Sequence, residues 1–354
     1  MYDYLIVGSG IYGSVYAHEK TKQGHKCLII DQRNHIGGNC YTEKIENIQV
    51  HKYGPHIFNT NNLKIWQYVN NIIPFETYIH KVKVNYNGEL FSMPINLNTF
   101  SELWGINTPK EAREEIEKLK IPKKNIISFE DYVLANLGQE LFEIFYKGYT
   151  EKQWNKTCSE LPASIAKRLP IRFIFDDRYH ETTYSGIPAN GNYTAIFEKL
   201  LDGIEVKLNE PYSPTQVAKN IVYTGPIDEL FNYQFGPLEY RSLRWETKIL
   251  DTDNFQGISQ INYSDKEIPY TRSIEHKCFS PKVTEKTVVS YEYPEAWETG
   301  KERYYPVNNP DNDKIYKKYK MLAEQSNILV SGRLGLFKYL DMDAVVALAL
   351  KDSN

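Results

Sequence analysis

The stretch that decides the fold lies at the start of the chain and reads Tyr4-Leu5-Ile6-Val7-Gly8-Ser9-Gly10-Ile11-Tyr12-Gly13. Its four apolar residues predict a buried strand, and its glycines have the G-x-G-x-x-G spacing of a strand-to-helix loop. Gly8 permits a tight turn, Gly10 lets a pyrophosphate approach the backbone, and Gly13 lets the helix pack on the strand. The first N–H groups of such a helix attract phosphate. The stretch therefore predicts a dinucleotide-binding βαβ unit.

A second strand, an acidic residue and a second glycine turn extend this unit. The run Lys26-Cys27-Leu28-Ile29-Ile30 ends at Asp31, 18 residues after Gly13, where a carboxylate can accept hydrogen bonds from ribose. Gly37-Gly38-Asn39 follow soon after, and a nicotinamide dehydrogenase does not need this turn. The pattern resembles the FAD-binding amine-oxidase-like superfamily. The resemblance implies that Gly38 and Asn39 contact the FAD pyrophosphate and the edge of the flavin.

A late strand ends in another motif typical of that superfamily. Ile328-Leu329-Val330 predicts the strand, and Ser331-Gly332-Arg333 follows it. The resemblance implies that Arg333 pairs with the FAD pyrophosphate, as a planar guanidinium can. The alternative for Arg333 is a surface ion pair. Asp341 is predicted to cap a final apolar helix, so the last residues of the chain close the first domain.

The remaining segments predict two further domains in an α/β protein. Val82, Val84 and Tyr86 alternate before Asn87-Gly88, which predicts a hairpin. Thr108 and Ser128 each begin a segment with helix-start chemistry. We therefore predict a Rossmann-like FAD-binding domain with an inserted helical-bundle domain and an antiparallel β-sheet domain. The predicted boundaries are 1–78, 186–230 and 318–354 for the FAD domain, 98–166 for the helical substrate and dimerisation domain, and 79–97, 167–185 and 231–317 for the sheet domain.

Composition excludes several classes of protein. The 354 residues carry a net charge of −3, which predicts no nucleic-acid or anionic-membrane partner. No apolar run reaches the roughly 18 residues of a membrane span. The four cysteines are scattered without a C-x-x-C pair, so we expect neither a disulfide framework nor a metal site. These features together favour a cytoplasmic protein.

Motifs spread over nearly the whole chain resemble the bacterial type of the UDP-galactopyranose mutase family. They occur in the family's order. The motifs are Tyr53-Gly54-Pro55-His56-Ile57-Phe58, Gly148-Tyr149-Thr150-Glu151-Lys152-Gln153-Trp154, Leu161-Pro162-Ala163-Ser164-Ile165, Lys167-Arg168-Leu169-Pro170-Ile171-Arg172-Phe173, Tyr223-Thr224-Gly225-Pro226-Ile227-Asp228, Leu238-Glu239-Tyr240-Arg241-Ser242-Leu243, Pro269-Tyr270-Thr271-Arg272-Ser273-Ile274-Glu275-His276-Lys277, Tyr304-Tyr305-Pro306-Val307 and Tyr339-Leu340-Asp341-Met342-Asp343.

The resemblance implies a non-redox use of flavin. Reduced FAD would bond through N5 to the sugar and displace UDP, so that UDP-galactopyranose and UDP-galactofuranose interconvert and furanose sugars reach cell-surface polysaccharide. A departing diphosphate needs fixed cations, and Arg168 and Arg272 resemble the family's two diphosphate-binding arginines. The alternative for either arginine is a surface salt bridge. The resemblance also implies a homodimer and a mobile lid around Arg168.

Aromatic and polar residues of the motifs match substrate-side positions of the family. Tyr149, Trp154 and Tyr179 would supply faces for uracil or the sugar, and Phe145, one helical turn before Tyr149, can share its face. Three further family positions are matched by Tyr305 and Tyr339, which would reach the diphosphate, and by Asp341, which would lie near the sugar and flavin. His56 resembles the flavin-side histidine. The alternative for each aromatic residue is core packing, and for His56 it is a structural role.

Two positions depart from the family pattern and leave the sugar open. The family loop usually reads Gly-Pro-His-Ile-Phe-His, but Asn59 replaces the second histidine. Asn155 stands where the family usually has glycine. Because Asn59 should lie near the sugar or flavin, UDP-N-acetylgalactosamine, a deoxyhexose or another nucleotide sugar stays an alternative substrate, and the base is also open. An FAD-dependent oxidoreductase and a non-catalytic nucleotide-sugar or flavin binder are alternatives from other classes.

Overall fold

A computed structural model describes residues 2–166, 170–216, 218–279 and 284–354. The strands are β1 (Tyr4–Val7), β2 (Cys27–Asp31), β3 (Thr42–Ile45), β4 (Ile48–His51), β5 (Phe58–Thr60), β6 (Phe75–Thr77), β7 (Val82–Tyr86), β8 (Glu89–Met93), β9 (Tyr184–Pro188), β10 (Glu205–Leu208), β11 (Asn220–Tyr223), β12 (Tyr240–Leu250), β13 (Gln260–Tyr263), β14 (Arg272–Glu275), β15 (Thr287–Ala296), β16 (Tyr305–Pro306) and β17 (Ile328–Val330). The α-helices are α1 (Ile11–Lys22), α2 (Leu63–Ile72), α3 (Leu97–Trp104), α4 (Pro109–Leu119), α5 (Phe129–Phe142), α6 (Gly148–Trp154), α7 (Ala163–Ala166), α8 (Thr194–Leu200), α9 (Ile227–Leu230), α10 (Pro310–Gln325), α11 (Gly332–Gly335) and α12 (Met342–Asp352). Glu143–Lys147 form a π-helical turn.

The chain divides into two compact units. Unit 1 comprises Met1–Tyr78, Thr182–Ser242 and Trp297–Asn354. Unit 2 comprises Ile79–Glu181 and Leu243–Ala296. Both units are therefore built from separate stretches of the chain.

Unit 1 contains the predicted βαβ opening, which is confirmed. Its parallel sheet has the strand order β10-β2-β1-β11-β17. Every residue of β2 is buried, as expected for a strand that is covered on both faces. Helices α1 and α12 pack against each other, so the end of the chain closes the domain that its beginning opens. A small antiparallel sheet, β5-β9-β6, also belongs to this unit.

Unit 2 joins a mostly antiparallel sheet to helices in one hydrophobic core. The strand order within it is β12-β15-β14-β13-β7-β8. The predicted hairpin β7–β8 is present, and Asn87 and Gly88 have φ of 52° and 84°, as a type I′ turn requires. Val84 of this hairpin and Phe129 of α5 belong to the same core cluster.

That shared core explains a difference from the predicted domains. Segment 98–166 was expected to form a domain separate from the sheet, but it falls in the same compact unit as β7, β8 and residues 243–296. The predicted sheet segment 231–317 is divided, because 231–242 and 297–317 belong to unit 1. Buried residues of α3, α4 and α5 share one hydrophobic core cluster with residues of the hairpin, so the helices and the hairpin form their core together.

A second difference concerns segment 167–185, which was predicted to belong to the sheet domain. Residues 170–183 contain no strand, and the regular strand in this region is β9. Arg172 explains the irregular path, because it is buried and its Nη1 donates to the carbonyl oxygens of Asp176 (3.0 Å) and Arg178. Carbonyl groups that curl around one guanidinium are not available to a strand partner.

Candidate active site

The first glycine turn lies at the carboxyl end of β1 and leaves no room for side chains. Gly8 has φ of +102°, and a Cβ atom there would lie 2.1 Å from Thr224 Oγ1. A Cβ on Gly13 would lie 2.0 Å from the carbonyl oxygen of Gly8. Gly10 is the N-terminal cap of α1, and a Cβ there would meet only Gly38 Cα, at 3.9 Å. The loop therefore exposes main-chain groups at the helix start.

The second glycine turn rests on the first. The Gly37 N–H donates to the carbonyl oxygen of Ser9 at 3.0 Å. A Cβ on Gly38 would lie 3.1 Å from Gly10 Cα, so the two backbones touch. Gly38 begins a short 3-10 turn with Asn39. The two predicted turns thus form one cradle of main-chain atoms.

Asp31 and Arg33 hold this cradle in shape. Asp31 is buried, and its Oδ2 accepts hydrogen bonds from Ser9 N (2.8 Å) and Ser9 Oγ (2.6 Å). Arg33 Nη2 donates to Asn39 Oδ1 at 2.8 Å and also pairs with Glu302. Asp31 therefore orders the first turn in addition to the ribose contact expected of it.

Arg333 presents a cation that the described residues do not neutralise with a carboxylate. Its guanidinium donates to the carbonyl oxygens of Tyr304 and Arg303, the latter at 3.3 Å. Burial lowers the pKa of Arg333, and the positive charge of Arg33 also acts in that direction. A Cβ atom on the preceding Gly332 would lie 3.5 Å from Tyr12 Cβ in α1. A half-buried cation without an acidic partner favours binding of an anion.

Tyr305 and Tyr339, both matched to family positions by their motifs, lie close together in unit 1. Their ring centroids lie 6.1 Å apart at an interplanar angle of 26°. Tyr339 is 49% exposed. Both phenol groups are electrostatic neighbours of Arg333 and oppose part of the lowering of its pKa. Asp341 is the N-cap residue of α12 by position, but its side chain makes no capping hydrogen bond to the helix in this described segment.

His56 is fixed by a second histidine. His56 Nδ1 donates to the carbonyl oxygen of Gly54 at 2.8 Å, and the His56 N–H donates to His51 Nδ1 at 3.0 Å. His51 must therefore carry its proton on Nε2, which lies 3.2 Å from the carbonyl oxygen of Gly191. Because one ring nitrogen accepts and the other donates, His51 is neutral.

Asn59 lies in β5, opposite Ser185 of β9. Its Nδ2 donates to the carbonyl oxygen of Ile57 at 2.9 Å, and its Oδ1 accepts from Thr182 Oγ1 at 3.4 Å. The amide is thus held by neighbouring groups of unit 1. An imidazole at this position would have a different donor and acceptor pattern.

In unit 2, Glu292 orients Arg272. Glu292 is fully buried on β15, and Arg272 lies opposite it on β14. Arg272 Nε donates to Glu292 Oε1 at 2.9 Å and Nη2 to Oε2, which makes a bidentate pair. Thr271 Oγ1 donates to the same Oε1 at 2.7 Å. A cation oriented in this way is prepared to meet an anion without reorganising.

Tyr179 lies close to Arg272. Burial raises the pKa of Tyr179, and the positive charge of Arg272 opposes part of that rise. The Tyr179 N–H donates to the carbonyl oxygen of His80 at 2.8 Å, and the two rings meet edge to face at 5.5 Å. Unit 2 therefore brings together two of the predicted substrate-side residues.

The aromatic residues predicted on the substrate side of the helical segment differ in how exposed their rings are. Tyr149 and Trp154 are half-buried on α6, and Trp154 packs against the core cluster. Phe145 is only 3% exposed and packs edge to face against Phe91 at 6.0 Å. The expectation that Phe145 and Tyr149 share a face assumed 3.6 residues per turn, but Phe145 lies in the π-helical turn, which changes that spacing. In this structure Phe145 is a core residue.

Arg168, the other predicted diphosphate arginine, lies outside the described residues.

Comparison with known proteins identifies the family. The family model for UDP-galactopyranose mutase matches residues 144–339, and the model for an NAD(P)-binding Rossmann-like domain matches residues 6–72. A Klebsiella pneumoniae protein named "Probable UDP-galactopyranose mutase" is 41% identical over 99% of this chain and 93% of its own length. The chain belongs to the UDP-galactopyranose mutase family. An Escherichia coli dTDP-fucopyranose mutase is 38% identical over 98% of this chain and 96% of its own length.

A solved structure shows the same fold. The crystal structure of a reduced UDP-galactopyranose mutase matches with a TM-score of 0.77 at 13% sequence identity. The match covers 100% of this chain and 95% of the chain in that crystal structure. The Rossmann-like region and the mutase family together imply a flavin cofactor. The chain is thus a mutase-family enzyme, and its relatives act on nucleotide sugars by name.

The departure of this mutase at Asn155 has a structural explanation. Asn155 ends α6 with φ of 53° and ψ of 39°, the left-handed conformation that glycine or asparagine adopts at a helix end. Asparagine therefore fulfils the backbone requirement for which the family uses glycine. Asn59 has φ of ordinary strand type within β5, so backbone geometry does not explain that exchange.

Sequence reasoning missed the residues that hold the predicted ones in place. Glu292 and His51 each fix a predicted site residue, but each lies outside the motif of that residue. The acidic residue at an inward position of β15 was the one available signal, because a buried carboxylate requires a partner.

Two negative findings apply to the part of the chain that the structure describes. It contains no group of three histidine, cysteine or acidic residues placed to hold a metal ion. None of its helices has the length and apolar character needed to cross a membrane.

Proposed function

We propose that the chain is an FAD-dependent mutase that interconverts UDP-galactopyranose and UDP-galactofuranose without net redox change. The observation that supports it best is the surroundings of two separate arginines, to each of which we assign an anion. Arg333 in unit 1 has no carboxylate partner among the described residues, and Arg272 in unit 2 is held rigid by Glu292. A mutase of this kind needs one cation for the pyrophosphate of its cofactor and another for the nucleoside diphosphate of its substrate.

The residues of unit 1 fit FAD. The contact between the two glycine turns leaves main-chain N–H groups for a pyrophosphate, since a Cβ on Gly38 would lie 3.1 Å from Gly10 Cα. Arg333 would balance the pyrophosphate charge, and Asp31 would meet the ribose. Reduced FAD, when bound, would supply the nucleophile that displaces the nucleoside diphosphate from the sugar.

The chain's own contribution is to hold the diphosphate and to exclude water. Arg272, with Arg168, would stabilise the negative charge that develops on departing UDP. Tyr305 and Tyr339 would donate their hydroxyl groups to the same diphosphate. Tyr149, Trp154 and Tyr179 would provide faces for the base and the sugar.

His56 and Asp341 would act beside the reacting sugar. The hydrogen bond from His56 Nδ1–H to Gly54 leaves Nε2 of the neutral ring as an acceptor, so this atom could take up a proton and later return it. Asp341 would place a carboxylate near the positive charge that develops on the sugar. Phe145 would support the helix behind Tyr149.

The same chemistry on another nucleotide sugar is the second candidate. Asn59 stands where the family usually has histidine, and one relative is a dTDP-fucopyranose mutase. A 6-deoxy sugar offers no hydroxyl group at C6, so fewer polar partners would be needed around it. An oxidoreductase is less consistent with two arginine anion sites. We also propose a homodimer in the cytoplasm whose product supplies cell-surface polysaccharide.

A competition assay distinguishes the nucleotide sugars. The reduced enzyme would be given UDP-galactofuranose and dTDP-fucofuranose in equal amounts, and chromatography would follow both pyranose products. The proposal expects UDP-galactofuranose to be consumed first, with Asn59→His as the variant that tests the sugar side. Preference for dTDP-fucofuranose would favour the second candidate. Conversion of neither, with bound FAD present, would contradict both.

A further inference from the structure

Helix α6 contacts the loop between β13 and β14 through two residues that lie one helical turn apart, Gly148 and Lys152. The proposed mechanism uses neither residue. A Cβ on Gly148 would lie 1.8 Å from the carbonyl oxygen of Ser264, so the helix rests directly on the loop backbone. Any residue larger than glycine would push the helix away from the loop.

Lys152 binds the main chain of this loop at four points. Its Nζ lies 2.8 Å from the carbonyl oxygen of Tyr263, 2.9 Å from those of Asp265 and Ile268, and 3.1 Å from that of Tyr270. An ammonium group has three N–H donors, so four oxygens around it form a cage for a positive charge. No carboxylate oxygen of the described residues forms an ion pair with Lys152. The four oxygens of the cage therefore all belong to carbonyl groups, and the negative charge of Asp265 acts on the ammonium group from nearby.

The other side of the loop is also fixed. Ser264 N donates to the carbonyl oxygen of Asn85 at 3.1 Å, and Asn87 N donates to Asp265 Oδ1 at 2.9 Å. Burial lowers the pKa of Lys152 to about 8. At neutral pH the cage is thus mainly occupied by the charged ammonium form.

The loop leads directly to the proposed diphosphate arginine. Tyr270, whose carbonyl oxygen Lys152 binds, lies two residues before Arg272. The Tyr263 N–H donates to the carbonyl oxygen of Thr271 at 2.9 Å, so the strands on both sides of the loop are paired at this point. The helix that carries Lys152 also carries Tyr149 and Trp154. One ammonium group therefore connects the base-side aromatics to the strand of Arg272.

We propose that Lys152 is a positioning residue for the nucleotide sugar. Its ammonium group is the cation that the four carbonyl oxygens surround, and this contact fixes the position of Arg272 relative to Tyr149 and Trp154. This inference rests on the proposed role of Arg272 in binding the diphosphate. If so, the four carbonyl oxygens need a small monovalent cation between them, and in the wild type the side chain of Lys152 supplies it. A cage emptied by shortening the side chain should accept ammonium or potassium ions.

The test compares Lys152→Ala with Lys266→Ala, which removes an exposed lysine of the same loop. Both variants would be loaded with FAD, and KM, kcat and the Kd for UDP would be measured in sodium chloride. We expect Lys152→Ala to raise KM and the Kd for UDP by about tenfold or more while flavin content stays the same. Lys266→Ala should match the wild type.

Cation rescue separates a cage from simple loss of packing. Ammonium or potassium chloride should restore most of the UDP affinity of Lys152→Ala, and tetramethylammonium chloride at equal ionic strength should not. Lys152→Met fills the space without a charge and should show no rescue. Equal Kd for UDP in Lys152→Ala and wild type, or equal rescue by tetramethylammonium, would overturn the inference.

A charge-retaining variant covers the case in which Lys152→Ala does not fold. Lys152→Arg keeps the charge, but its planar guanidinium cannot place donors toward four oxygens around one point, so KM should rise without cation rescue. Wild-type KM in Lys152→Arg would contradict the cage. If the wild type binds no UDP and converts no nucleotide sugar, the proposed function fails. The cage can then still be tested alone, because potassium should raise the melting temperature of Lys152→Ala if the four carbonyl oxygens bind the ion.

Discussion

The surroundings of Arg333 indicate a bound anion more directly than those of any other residue we assign to the site. Its hydrogen-bond partners are main-chain oxygens, and burial lowers its pKa. A protein seldom keeps a buried cation without an acidic partner unless a ligand supplies the charge. We therefore expect Arg333 to destabilise the folded protein when FAD is absent and to stabilise it when FAD is bound.

Replacing Arg333 tests this balance. In flavin-free protein, Arg333→Met should leave the melting temperature unchanged or raise it, because a half-buried charge without a carboxylate partner is removed. With FAD added, the variant should bind the cofactor at least about tenfold more weakly than wild type, which corresponds to about 1.4 kcal/mol. Titration of FAD by absorbance and thermal unfolding with and without FAD measure both effects.

Arg303 provides the control for this variant. It pairs with Glu229 at 2.9 Å and contacts the Tyr233 hydroxyl at 3.0 Å. Arg303→Met breaks existing interactions and should lower the melting temperature whether or not FAD is present. A large drop in the stability of flavin-free Arg333→Met would contradict the assignment of Arg333 as an anion site.

Gly13 tests the close approach in the glycine loop. Alanine stabilises an ordinary helix position by about 1 kcal/mol relative to glycine, but here its Cβ would lie 2.0 Å from Gly8 O. We expect Gly13→Ala to lower the free energy of unfolding by about 2 kcal/mol or more and to abolish flavin binding. Gly24→Ala, where no atom lies within 4 Å of the new Cβ, should keep its flavin despite the strain of φ at +88°. Retained flavin in Gly13→Ala would contradict the cradle.

At the scale of elements, what the sequence could predict depended on how local the signal was. The βαβ opening and the Asn87-Gly88 hairpin are confirmed because each is determined by a few neighbouring residues. Segment 167–185 was assigned to the sheet domain, but residues 170–183 contain no strand, since Arg172 gathers carbonyl groups that only the folded chain brings to it. The pairing of Arg272 with Glu292, 20 residues away, has the same character.

The end of helix α6 gives a test of whether a family departure is structural. Asn155 has left-handed φ and ψ, so Asn155→Gly should keep or slightly raise the melting temperature, and Asn155→Ala should cost about 1 kcal/mol of unfolding free energy. Neither variant should change the preference between UDP-galactofuranose and dTDP-fucofuranose. A shift of sugar preference in Asn155→Gly would show that the side chain itself contacts substrate.

At the scale of the molecule, buried histidines set the response to acid. Burial lowers the pKa of both His80 and His276 to about 3. Below the ordinary histidine pKa of about 6.5, the unfolded chain takes up protons that the folded chain refuses. The free energy of unfolding should therefore fall as pH decreases from about 6.5 toward 3, by up to about 1.4 kcal/mol per pH unit for each histidine.

A variant isolates one of these contributions. His276 is fully buried and lies 2.8 Å from Ser290 Oγ through Nε2. His276→Gln should lower stability at neutral pH but show a shallower loss between pH about 6.5 and 4.5, measured by urea unfolding. An unchanged slope would mean that His276 does not stay neutral in the folded protein.

We propose that this family member uses a bound flavin to isomerise a nucleotide sugar. The most direct measurement is to reconstitute the protein with FAD, reduce half of it with dithionite, add UDP-galactofuranose to both halves, and follow UDP-galactopyranose by chromatography. We expect rapid conversion by the reduced protein and little by the oxidised protein. Failure to bind FAD, or equal conversion by the reduced and the oxidised protein, would contradict a role for reduced flavin.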